Sequence, residues 1–205
     1  LRKIGRGGMG TVFEALDPAL NRRVAIKLLR SSDFGNVIRK RLRREATIAA
    51  GLRHPNIVGV HEVGSFFEAG EELDFIVMEY VPGRTLQEVI DQKSVGQEEM
   101  LRMLEDVARA VAYAHSQGVI HRDLKPTNVL IDPAGRVVLI DFGLARALSN
   151  ESRLTQTHDL VGTPQYMAPE QVRGDPSGIT QRTDVYGLGV VMYQILTGET
   201  PFSSR

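Results

Sequence analysis

Apolar and polar positions change their rhythm part-way along the chain. Up to Glu79 the apolar runs are short and strand-like. Thr11-Val12-Phe13-Glu14-Ala15 leads into the breaker Asp17-Pro18, Val24 to Leu29 is an apolar run crossed by a single lysine, and Ile57 to Phe67 and Leu73 to Met78 read as two further strands. One helix interrupts them: from Asn36, Val37, Ile38, Leu42, Ala46, Ala49 and Leu52 recur at three- and four-residue steps until Gly51 and His54-Pro55 end the element. Glu79-Tyr80-Val81-Pro82-Gly83 then gives Pro-Gly punctuation, which predicts a boundary between 1–79 and 84–205 with 80–83 as the linker.

Past that linker the helical period dominates. Thr85 to Asp91 predicts a short helix with Thr85 as N-cap. Glu98 to Ser116 predicts a longer one that lays Met100, Leu101, Leu104, Val107, Ala108, Val111 and His115 on one face and stops at Gly118. His115 completes that face rather than binding a metal, because no second imidazole or thiolate sits at ligand spacing. Val129 to Ile131 and Val137 to Ile140 flank Asp132-Pro133-Ala134-Gly135 as a hairpin. Asp184 to Thr197 is apolar nearly all round, which predicts a buried helix capped by Gly198, with Asp184 in the favourable field of its N-terminus.

Composition narrows the class. With 205 residues, 42% hydrophobic and 24% charged, the chain is of ordinary globular make-up. No apolar run approaches the roughly 20 residues a bilayer span needs, so no membrane segment is expected within these residues. Lysine plus arginine equals aspartate plus glutamate at 25 each, and no net positive charge advertises a nucleic-acid partner. The absence of cysteine excludes disulfides and a thiol nucleophile and fits a reducing compartment. Leu1 without an initiator Met, and Arg205 following Pro201-Phe202-Ser203-Ser204 with no terminating element, give the chain the look of a fragment.

Candidate chemistry concentrates between Val119 and Gly143. Asp123 stands in a His121-Arg122-Asp123 run, with an ammonium at Lys125 and an amide at Asn128. Asp141 precedes Phe142-Gly143. Asn128 and Asp141 are oxygen donors of the kind a hard cation takes alongside substrate phosphates. The hairpin between them would set the two side by side. Asp123 is then left to accept a proton from an incoming hydroxyl, and Lys125 to neutralise charge on a transferred group. Near the start, Gly5, Gly7 and Gly10 form G-x-G-x-x-G, where backbone amides can approach phosphate oxygens. The dinucleotide-binding version of that motif must open a helix, whereas strand-like residues follow here. Lys27, inside an otherwise apolar run, calls for an anion unless it faces solvent on an edge strand.

Taken together in this order, His121-Arg122-Asp123-Leu124-Lys125-Pro126-Thr127-Asn128 and Asp141-Phe142-Gly143 resemble the catalytic loop and metal-binding triplet of protein kinases. The likeness extends from the glycine loop and Lys27 to Gly162-Thr163-Pro164-Gln165-Tyr166-Met167-Ala168-Pro169-Glu170. It is closest to the eukaryotic-like serine/threonine kinases of bacteria, in view of Thr155-Gln156-Thr157 and the GTPQYMAPEQ stretch. The resemblance implies an α+β, two-lobed fold: a small lobe of antiparallel sheet with one helix and a larger, mainly helical lobe, incomplete at its C-terminal end, with ATP in the cleft and 80–83 as the hinge.

Residue by residue, it implies that Ile4, Gly5, Gly7, Gly10, Val12 and Ala25 contact the nucleotide and that Lys27 binds its phosphates and pairs with Glu45. Backbone groups of Glu79 and Val81 would bond adenine, with Met78 limiting pocket depth. Asp123, Lys125, Lys27 and Asn128 are the implied catalytic set, and Asn128 and Asp141 the ligands of Mg²⁺, with Mn²⁺ as the alternative. Leu144 to Asp159 corresponds to an activation loop, with Thr155 or Thr157 phosphorylated and paired with Arg122. Thr163 would bridge Asp123 and Lys125, and Asp184 would hold the backbone of the His-Arg-Asp loop. Glu170 pairs in the family with an arginine absent from this sequence. The implied activity is transfer of the ATP γ-phosphoryl group to serine or threonine of proteins, in the cytoplasm, with a homodimer serving autophosphorylation in trans. A catalytically dead scaffold would be expected to lack Lys27, Asp123 or Asp141, and all are present. A small-molecule phosphotransferase would not need the docking stretch from Gly162 to Glu170.

Overall fold

Strand-forming and helix-forming stretches segregate into two units, residues 1–53 with 58–81 and residues 54–57 with 82–205. The structure is a computed structural model that describes residues 1–7, 10–29, 36–68, 70–142 and 164–202. The expected activation segment, its threonines, Gly143 and Thr163 lie outside the described residues.

The first unit is a five-stranded antiparallel sheet in the order β1-β2-β3-β5-β4, formed by β1 (Arg2–Gly7), β2 (Gly10–Asp17), β3 (Arg22–Leu29), β4 (Val60–Glu68) and β5 (Glu71–Glu79). One helix, α1 (Asn36–Ala50), accompanies it. β3 lies between β2 and β5 and is therefore not an edge strand, and Lys27 is buried on the same face as Ala25 and Leu29. The exposed edge lysine that the sequence left open is thereby excluded. At Gly10 φ is +153°, and a Cβ would lie 2.0 Å from the Leu28 carbonyl oxygen, so the close approach of β2 to β3 requires glycine. Helix α1 is tied to β5 by charge. Arg43 Nε donates to Asp74 Oδ1 at 2.6 Å and Nη2 to Glu72 Oε1 at 2.7 Å, with Asp74 only 2% exposed.

Ile57 does not begin β4 as its apolar neighbours suggested. It bridges Leu139 in the second unit, where Asn56 Nδ2 donates to Val137 O at 2.7 Å and Leu139 N to Asn56 O at 2.8 Å. An apolar residue can serve either sheet, and only long-range pairing decides which.

The second unit contains β6 (Arg84–Thr85), α2 (Leu86–Gln92), α3 (Gln97–Ser116), β7 (Val129–Ile131), β8 (Val137–Leu139), α4 (Pro169–Val172) and α5 (Gln181–Thr197). Strands β6, β7 and β8 make a small three-stranded antiparallel sheet. Thr85 caps α2 through a reciprocal pair with Glu88, as its sequence position predicts. Two predicted faces need correction. On α3 the buried stripe is Met100, Met103, Leu104, Val107, Ala110, Val111 and Ala114, so Leu101, Ala108 and His115 are only half-buried. Alanines and methionines on both sides of the helix left its rotation open. On α5, Gly187, Val190, Val191 and Ile195 are buried, but Val185 is 61% exposed and Met192, Tyr193 and Leu196 are exposed too. A helix apolar all round carries no polar side to mark the face left open.

Candidate active site

The loop from Val119 to Asn128 is held from below by α5. Gly118, at φ +74°, turns the chain out of α3. Asp184, in the first turn of α5 and 1% exposed, accepts from His121 N at 2.8 Å and His115 Nε2 at 2.7 Å through Oδ2, and from Arg122 N at 2.8 Å through Oδ1. The role expected of Asp184 is thus borne out. His115 proves to be part of the same anchor, a feature that periodicity could not reveal.

Arg122 has φ +70°, and Gln171 Nε2 donates to its carbonyl at 2.7 Å, so a strained residue is gripped on both of its peptide groups. Gly187 lets α5 approach closely: a Cβ there would lie 3.0 Å from that of Leu124. His121, fully buried, donates through Nε2 to Ile140 O at 2.9 Å, accepts from Asp123 N on Nδ1 at 3.2 Å, and meets Phe142 edge-on with ring centroids 4.6 Å apart. This histidine ties the Asp123 backbone to the strand that delivers Asp141.

The polar cluster follows from that scaffold. Asp123 Oδ2 accepts from Lys125 Nζ at 2.7 Å and from Asn128 Nδ2 at 3.0 Å, and Asn128 Nδ2 also reaches Asp123 O at 2.8 Å. Among the described residues no hydrogen bond reaches Asp123 Oδ1 or Asn128 Oδ1. Asn128 is 6% exposed, so its unspent carbonyl oxygen is a buried acceptor awaiting a partner. Ile140 N donates to Asn128 O at 2.9 Å, so the residue opposite Asn128 is Ile140, and Asp141, at φ +64°, follows it directly in the chain. The hairpin thus brings the backbone of the two residues expected as oxygen donors close together. Their chemistry fits a hard divalent cation that completes its shell with phosphate oxygens.

Glu170, expected to lack its distant arginine, accepts instead from the Thr183 hydroxyl at 2.6 Å. Tyr166 OH donates to Gln194 Oε1 at 2.7 Å. Neither pairing has a local sequence signature.

In the first unit, strand register aligns the candidate nucleotide residues. Gly5 pairs with Val12, Val12 with Lys27, and Ala25 with Met78. Directly opposed residues share a sheet face, and so do residues two apart along a strand. Gly5, Gly7, Gly10, Val12, Ala25, Lys27 and Met78 consequently belong to one face. Ile4, 43% exposed, falls at the register irregularity between Lys3 and Gly5, whereas Met78 and Val81 are each 8% exposed. Glu79 N donates to Gly59 O at 2.8 Å. Glu45, on α1, is half-buried.

Comparison with known proteins assigns the architecture. A family model described as protein kinase domain matches residues 1–205. The chain is 44% identical over 205 residues to the probable serine/threonine-protein kinase PknB of Lactococcus lactis, covering 98% of this chain and 32% of that protein. It is 43% identical over 208 residues to the serine/threonine-protein kinase PrkC of Bacillus subtilis, covering 100% and 31% respectively. The chain thus spans about a third of the length of these curated relatives. A crystal structure of the Mycobacterium tuberculosis PknI kinase domain superposes with a TM-score of 0.77 at 29% identity, over 98% of this chain and 75% of that one. The chain belongs to the protein kinase domain family, on the branch of the eukaryotic-like serine/threonine kinases of bacteria. Its two units correspond to the sheet lobe and the helical lobe of that fold, and members of the family in general use ATP and a divalent metal. Among the described residues no helix is long and apolar enough to cross a membrane.

Proposed function

We propose that this domain transfers the γ-phosphoryl group of ATP to serine and threonine hydroxyls of proteins, with Asp123 as the group that orients the hydroxyl and accepts its proton. The observation that carries this reading is the asymmetry of the Asp123 carboxylate. Oδ2 is fixed by Lys125 and Asn128, while Oδ1 has no hydrogen bond among the described residues. A carboxylate pinned on one oxygen and open on the other is pre-organised to receive one proton in one direction. Lys125, beside it, offsets negative charge on the group in transfer. Asn128, through Oδ1, and Asp141 are the residues that would hold Mg²⁺, or Mn²⁺ in its place, and the cation when bound neutralises phosphate charge.

Lys27 engages phosphate oxygens and pairs with Glu45. Ile4, Gly5, Gly7, Gly10, Val12 and Ala25 cover the nucleotide, and the backbone of Glu79 and Val81 binds its base against Met78. Residues 80–83 act as the hinge between nucleotide-binding and catalytic lobes. The domain works in the cytoplasm and phosphorylates Thr155 or Thr157 of a second copy.

Incubation with labelled ATP, Mg²⁺ and a generic basic protein tests this. Asp123→Asn is expected to lower transfer by about 10²- to 10⁴-fold while the thermal midpoint stays within a few degrees. Full transfer by that variant would overturn the assignment.

A further inference from the structure

One row of residues crosses the sheet of the first unit from β1 to β5. Arg2 pairs with Glu14, Glu14 with Ala25 and Ala25 with Met78, so Arg2 and Glu14 lie on the sheet face that carries the candidate nucleotide residues. Arg23, two positions before Ala25, belongs to the same face. We propose that Arg2, Glu14, Arg23 and Tyr80 form a clamp that positions the base-binding peptide groups of Glu79 and Val81, and so sets the affinity for ATP rather than the rate of transfer. This deepens the kinase reading and rests on its placing of the base against Glu79 and Val81.

Glu14 is the hub of the clamp. Its Oε2 accepts from Arg2 Nε at 2.9 Å and also from Arg2 Nη2, and its Oε1 accepts from Arg23 Nη1 at 3.0 Å. The Glu14 side chain is 13% exposed, whereas those of Arg2 and Arg23 are 70% and 60% exposed. Hydrogen bonds first from Arg2 and then from Arg23 hold the Glu14 carboxyl below its usual pKa, and it stays ionised between two cations that would otherwise repel. The Arg23 guanidinium carbon in turn stands over the Tyr80 ring, 5.0 Å from its centroid, as a cation–π contact requires. One carboxylate thereby links β1 and β3 to the ring of Tyr80.

Tyr80 is placed to transmit that hold. Its Cα joins the peptide group shared with Glu79 to the one shared with Val81, the two residues assigned to the base. The ladder between β3 and β5 ends at the pair of Val24 with Glu79, so strand pairing fixes neither Tyr80 nor Val81. A ring held by Arg23 supplies the restraint that the ladder does not, because fixing the side chain fixes Cα and limits both peptide planes. A base that meets groups already oriented binds without the cost of ordering them. Val12 and Lys27, the pair that follows Glu14 and Ala25 on this face, lie toward the phosphates and outside the clamp.

The test uses the full chain with Mg²⁺, a generic basic protein and ATP varied across its KM. Arg23→Ala, at an exposed position, should raise KM for ATP about three- to tenfold with kcat within about twofold. Glu14→Gln and Tyr80→Ala should move KM the same way, and Tyr80→Phe, which keeps the ring face, should recover most of the affinity lost in Tyr80→Ala. Inorganic triphosphate carries the phosphates without the base, and it should inhibit wild type and variants alike. An unchanged KM for ATP in folded Arg23→Ala, no recovery in Tyr80→Phe, or a parallel weakening of triphosphate inhibition would overturn the clamp while leaving the kinase reading intact. Failure of the wild type to phosphorylate the protein would overturn both.

Discussion

Asp184→Asn keeps the volume of the side chain and removes one of the acceptors that hold the His-Arg-Asp loop. The native carboxylate is 1% exposed and receives three N–H groups, from His121, Arg122 and His115. A carboxamide accepts on one side only. Its NH₂ must therefore face at least one of those donors, and that donor is left buried and unmatched. Hydrogen bonds to a charged group contribute about 1.5–3 kcal/mol, and orphaning a buried donor costs about 1–3 kcal/mol, so the variant should lose about 2–4 kcal/mol.

That is a large share of the roughly 5–15 kcal/mol by which a domain is stable. The damage should not stop at stability. Arg122 sits at φ +70°, a conformation that costs a non-glycine residue about 1–2 kcal/mol, and the Asp184 bond to its N–H is one of the restraints keeping it there. Once it relaxes, Asp123 moves with it. Equilibrium urea unfolding should show a lowered midpoint with the slope unchanged. Steady-state kinetics should show kcat down by about tenfold or more, with KM for ATP within about twofold, as expected when an interaction supports chemistry rather than ground-state binding. An unfolding midpoint and a kcat both equal to wild type would refute this reasoning.

Three further outcomes are expected. Gly83 has φ +138°, and a Cβ there would lie 2.0 Å from Ile131 O, so Gly83→Ala should cost more than about 2 kcal/mol in thermal unfolding by forcing β6 and β7 apart. Arg43→Met removes a guanidinium from the Asp74 carboxylate, 2% exposed, and should cost about 1–3 kcal/mol, whereas the Arg43→Met/Asp74→Met double variant should recover part of that in a urea double-mutant cycle. The Thr85 N–H, and then its hydroxyl, hold the Glu88 carboxyl below its usual pKa. A depressed carboxyl contributes stability above its unfolded value near about 4.3 and loses it as pH falls through the folded value. The thermal-midpoint gap between wild type and Glu88→Gln should thus be present at neutral pH and close in acid; a gap that persisted or widened in acid would contradict the sign.

Local chemistry was legible wherever the sequence itself carries a geometric rule. The hairpin of β7 and β8, the capping pair of Thr85 with Glu88, and the left-handed stops at Gly118 and Gly198 each depend on residues close in the chain. The rotation of α3 was not legible, because methionine and alanine occupy either side at similar spacing. Nor was the partner of Glu170, because Thr183 reaches it only after α4 and α5 have packed.

By itself, then, the order of residues determined most of the strands and helices and the polar groups on the His-Arg-Asp loop, since periodicity and turn chemistry act over a few residues. Tertiary structure alone decided that Asn56 and Ile57 join the second unit, that one flank of α5 lies open, and that His115, Asp184 and Gln171 converge on the peptide groups of His121 and Arg122. The physical reason is the same in each case. A hydrogen bond or an apolar face far along the chain has many candidate partners of equal chemistry, and packing alone selects among them.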